Sequence, residues 1–75
     1  MDKATLKMFM EADINIIKKL ILNKENDLAE NKVQLLDPNI HSFLIQHEIS
    51  MNKGYLNGLK VALEYLENNL KRLHS

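Results

Sequence analysis

Residues 45–73 read IQHEISMNKGYLNGLKVALEYLENNLKRL. Within them Ile45, Ile49, Asn52, Leu56, Leu59, Leu63, Leu66, Leu70 and Leu73 are separated by alternating steps of four and three. Alternating steps of this kind average about 3.5 residues, the period that keeps one stripe of a helix facing a partner helix. A strand would bring its apolar residues back every second position. The stretch is therefore read as one long helix with a heptad seam and a single polar member, Asn52. A lone core Asn has two readings. It meets another Asn and selects register, or the seam frays there and it faces water.

Upstream, Asp37-Pro38 is the clearest punctuation in the chain. Asp is a favoured N-cap, and Pro fits the first helical position because its φ is already set. Pro also disfavours helix at the residue before it. This predicts helix 1 over about residues 3–35, a turn at 36–37 and helix 2 over about 38–73, all within one domain spanning 1–75. Two other boundaries stay open: a break in helix 1 at the polar run 23–27, and a break in helix 2 at Gly54.

Helix 1 has its own row, Met10, Ile14, Ile17, Ile21, Leu28 and Leu35, with Lys24 and Asn31 as polar members. A connection this short forces neighbouring helices antiparallel. The fold class is thus all-α: an antiparallel two-helix hairpin with a coiled-coil-like seam.

Each helix also shows a second face. On helix 2, Ser50, Gly54, Gly58 and Ala62 recur every four residues and form a groove for close packing, flanked by Met51, Tyr55, Val61 and Tyr65. That stripe lies roughly 100° or more from the seam, given the helical period. On helix 1, Phe9, Ile16 and Leu20 form a second row. One partner helix does not cover both faces. Stacking a second hairpin would, so a dimeric four-helix bundle or a higher oligomer is expected.

Composition narrows the function classes. The chain has 75 residues and no cysteine, so a domain this small lacks disulfides and thiolate metal sites as staples. Oligomerisation, or unusually good helix packing, is the remaining route to stability. Ten basic residues balance ten acidic ones, which gives no net pull toward nucleic acid or anionic lipid. The most apolar stretch of the first half, residues 8–22, is interrupted by Glu11, Asp13, Lys18 and Lys19. No membrane span or export signal is read from it, and a cytoplasmic location is expected.

No phosphate loop, dinucleotide fingerprint or nucleophile motif occurs. His41 and His47, six residues apart, would point about 120° apart on a helix, so no metal or cofactor site is expected. Lys71, Arg72 and His74 suit a helix C-terminus, where positive charge offsets the macrodipole. The bias toward Asn, Lys and Ile resembles that of small helical open reading frames of phages and low-GC bacteria, a compositional likeness only.

The function expected is that of a non-enzymatic, self-associating interaction module, such as an adaptor, an inhibitor or an assembly factor. Its partners would be itself and a cytosolic protein. Ile14, Ile17 and Ile21 of helix 1 and the seam from Ile45 to Leu73 are the expected interaction interface. Phe9 and Tyr55 are candidate partner anchors, since aromatics dominate binding hot spots. The alternative is a small-ligand binder whose oligomeric pocket is lined by Gly54, Gly58 and Tyr55.

Overall fold

The computed structural model describes residues 2–74. Two helices, α1 (Lys3–Gln34) and α2 (Ser42–His74), lie against each other along their length. The pair forms a rod of 56 × 16 × 14 Å, in keeping with helices of this length at about 1.5 Å per residue.

Asp2 caps α1: its Oδ1 accepts a hydrogen bond from the Thr5 backbone N–H at 2.7 Å. This contact, with smaller contributions from the Thr5 side chain and the Ala4 backbone, holds the Asp2 carboxyl below its ordinary range. α1 runs unbroken through residues 23–27, and α2 runs unbroken through Gly54 and Gly58. Both internal breaks considered from the sequence are absent. At the end of α1 the bonds tighten, with Leu36 N–H donating to the Val33 carbonyl and Asp37 N–H to the Gln34 carbonyl.

The connection differs from the sequence expectation. Asp37 does not cap a helix beginning at Pro38. Its Oδ1 accepts from the Asn39 backbone N–H at 2.9 Å, and the Ile40 N–H donates to the Asp37 carbonyl at 3.2 Å. These bonds close a turn around Pro38-Asn39, two strong turn formers. The Asp-Pro signal suits a turn as well as a helix start, and Asn39 tips it toward the turn. α2 starts at Ser42, where the His41 carbonyl accepts from the N–H groups of Leu44 (3.1 Å) and Ile45 (3.3 Å).

The seam positions lie on the inward side of the pair. All nine positions from Ile45 to Leu73 are buried or half-buried. On α1 the same is true of Met10, Ile14, Ile17, Ile21, Lys24, Leu28 and Asn31, while Leu35 is just exposed. Ile14, Ile45 and Leu56 are the most enclosed apolar side chains. Each fully buried side chain of this kind contributes roughly 1.5–3 kcal/mol.

Candidate interaction surface

The most buried side chain is polar: Asn31 is 2% exposed, and Asn52 is 9% exposed. They face each other across the seam. Asn52 Nδ2 donates to Asn31 Oδ1 at 2.9 Å, and Asn31 Nδ2 donates to Gln34 Oε1 at 3.0 Å. Asn52 therefore faces the seam and not water, and the Asn it meets is Asn31 of its own chain. The pair sets the level of one helix against the other, because sliding would leave both amides dry and unpaired. Among the described residues, no buried side-chain nitrogen or oxygen is left without a hydrogen-bond partner.

Lys24, the other polar member of the α1 seam, escapes sideways. Its Nζ lies 5.0 Å from the centroid of the Tyr55 ring and 3.4 Å from an Asp27 carboxylate oxygen. The aliphatic stem stays at the seam edge while the charge reaches a π-face and a carboxylate. Tyr55, a candidate anchor, is thus already engaged on one side, yet half of it stays exposed, as does half of Phe9.

The residues expected to form an interaction interface divide in two. Ile14, Ile17, Ile21 and the seam from Ile45 to Leu73 are used in the contact between α1 and α2 of one chain. The second face is open. Ser50, Gly54 and Gly58 are exposed, and Ala62 is half-buried. A Cβ placed on either glycine would meet nothing within 4 Å, so neither glycine is required by packing inside the hairpin. Gly54, Gly58 and Tyr55 lie on an outward helical surface, unenclosed by the chain itself.

Fifteen large hydrophobic side chains are exposed among the described residues. The sequence singled out Phe9, Ile16, Leu20, Met51, Tyr55, Val61 and Tyr65 of these. It missed Leu6, whose signal is an i,i+3 spacing from Phe9. Among the described residues no helix is long and apolar enough to cross a membrane, and no three His, Asp or Glu side chains gather into a metal site.

No family model, curated protein or solved structure matches the chain.

Proposed function

We propose that the chain is a non-enzymatic, self-associating interaction module of the cytoplasm. In this reading it presents helical surface to a protein partner, as an adaptor, inhibitor or assembly factor does. One observation carries the reading: the leucine seam is consumed inside the hairpin, and a broad apolar surface is left outside it. The accessible area is 5811 Å² for an 8.7 kDa chain. A compact monomer of that mass exposes on the order of 4,700 Å². The excess is about the area that one partner contributes to a standard interface, or somewhat more. Area of this kind, rich in Leu, Ile, Met and Tyr, gains free energy when it leaves water.

Multi-angle light scattering at micromolar concentration tests the reading. A mass of two or more chains is expected. A mass of 8.7 kDa across that range would overturn it.

A further inference from the structure

The exposed apolar residues are not spread evenly around the hairpin. Take the seams as heptads, with Leu56 and Leu63 at a and Asn52 and Leu59 at d. On α1, Ile14 and Leu28 then stand at a, and Ile17 and Asn31 at d. A two-fold axis normal to their common plane relates two antiparallel helices, and rotation about it keeps each side of the layer on itself. The g and c positions of both helices therefore lie on one broad side, and the e and b positions on the other.

The structure bears this geometry out. Glu11 and Lys18, at e on α1, share one groove with Glu67, at e on α2, over a floor of Ile14 and Leu70. On the opposite side, Lys24 reaches over Tyr55, which stands at g. Asp27, Gln34, Ala62 and Asn69, all at g, are half-buried along the same edge.

The two sides differ in chemistry. Seven of the eight e positions from Glu11 to Lys32 and from Gln46 to Glu67 are charged, with signs mixed. That e row is suited to water. The g and c side carries Leu6, Phe9, Ile16 and Leu20 from α1. From α2 it carries Leu44, Met51, Tyr55 and Tyr65, with Gly58 and Ala62 between them. With Asn31 opposite Asn52, Ile16 and Leu20 lie nearly level with Tyr65 and Ala62. The result is one diagonal band, interrupted by Asp13 and Glu48, which are exposed at g. It starts on α1 at the open end of the hairpin, crosses in the middle, and continues on α2 to the connecting turn. Of the remaining exposed apolar residues, Met8, Leu22 and Phe43 stand well apart at b on the opposite side, Val33 and Val61 stand at f, and Leu35 and Leu36 lie at the end of α1.

We infer that this g and c side is where a second copy of the chain docks, face to face, to give a closed dimer. The inference rests on the self-association reading above and assigns it a surface. Three observations favour a second copy as the occupant. The eight large side chains of the band expose on the order of 800 Å², at about 200 Å² for each one fully open, which is the share one partner gives a standard interface. The band runs the length of the rod, so its natural cover is another rod of equal length. It also shifts by one helix spacing, about 8–10 Å, over roughly 50 Å. When two such bands are laid along each other the rods cross at about 20°, close in size to the angle between helices of four-helix bundles. With the charged e rows outward and only widely spaced apolar residues beside them, association stops at two hairpins.

The test compares light-scattering mass and far-ultraviolet circular dichroism for four proteins. These are the wild type, the pair Met51→Lys/Tyr65→Lys, and the off-band controls Leu22→Lys and Val61→Lys. Met51 and Tyr65 are 63% and 67% exposed in the single hairpin, so their replacement leaves the seam intact. The wild type and both controls are expected to be dimers. The Met51→Lys/Tyr65→Lys chain is expected to be a helical monomer, its dimer weakened at least 100-fold. If the lysines reduce helicity, Met51→Ser/Tyr65→Ser repeats the comparison without added charge, and the same loss of dimer is expected. A monomeric wild type overturns self-association itself. A dimeric wild type whose mass survives the band substitutions, or falls with Leu22→Lys or Val61→Lys, overturns only the face assigned here. A wild-type tetramer overturns the closed dimer.

Discussion

Replacing Asn52 by Ala removes the donor that satisfies Asn31 Oδ1. That oxygen belongs to a side chain only 2% exposed, and its partner bond is 2.9 Å long. Leaving a buried polar atom unpaired costs about 1–3 kcal/mol, more than the net worth of the bond itself. For a domain of 60–100 residues each kcal/mol moves the midpoint by about 4–8 °C, so Asn52→Ala should lower Tm by roughly 5–20 °C. Asn31→Ala should act similarly, since it strands the Asn52 amide and releases Gln34. In Asn31→Ala/Asn52→Ala the two effects should not add, because both remove the same contact. The double variant Asn31→Leu/Asn52→Leu should recover the loss or exceed wild type, since two apolar side chains leave nothing unpaired. Thermal melts by circular dichroism at one fixed chain concentration measure all four, which keeps any association constant. Strictly additive single effects, or an Asn52→Ala chain as stable as wild type, would refute the pairing.

Other expectations follow from the same geometry. Gly54→Ala should raise stability by about 0.5–1 kcal/mol, because the added Cβ meets open space and the unfolded chain loses freedom. A lower Tm would show that something packs on Gly54. Leu63→Asp sets a charge into the seam and should abolish the cooperative melt, by loss of about 1.5–3 kcal/mol of burial and the added cost of the ion. An unchanged melt and mass would place Leu63 outside the seam. The Asp2 cap gives a pH dependence. Its carboxyl is held low by the Thr5 N–H, so its contribution is complete above the ordinary Asp range and is lost as pH falls through the lowered value. An acid titration of helicity should show this loss in wild type and not in Asp2→Asn. Identical titrations would exclude the cap.

Much of the fold was legible from spacing alone. The unbroken heptad from Ile45 to Leu73 implied one helix across both glycines, because a break there would have put the later leucines out of phase. The in-phase return of Leu28 did the same for the polar run of α1. The start of α2 was misplaced because Asp-Pro serves two local structures, and hydrogen bonds at Asn39 and Ile40 decide between them. The partner of Asn52 was hidden for a different reason. A pattern along one helix does not state which residue stands level on the other, and that level is a property of the packed pair. The same limit hid that the second rows of the two helices share one side. Leu6, Phe9, Ile16 and Leu20 join the Met51 and Tyr65 row only once the antiparallel arrangement puts both g and c rows on one side.

Small-angle X-ray scattering on the wild-type chain tests the stacked pair of hairpins most directly, because forward intensity reports mass and the pair distribution reports length. Side-by-side docking along the apolar band predicts a mass twice 8.7 kDa with a long dimension still near 56 Å. A mass of one chain, or a doubled mass in a particle about twice as long, would contradict it.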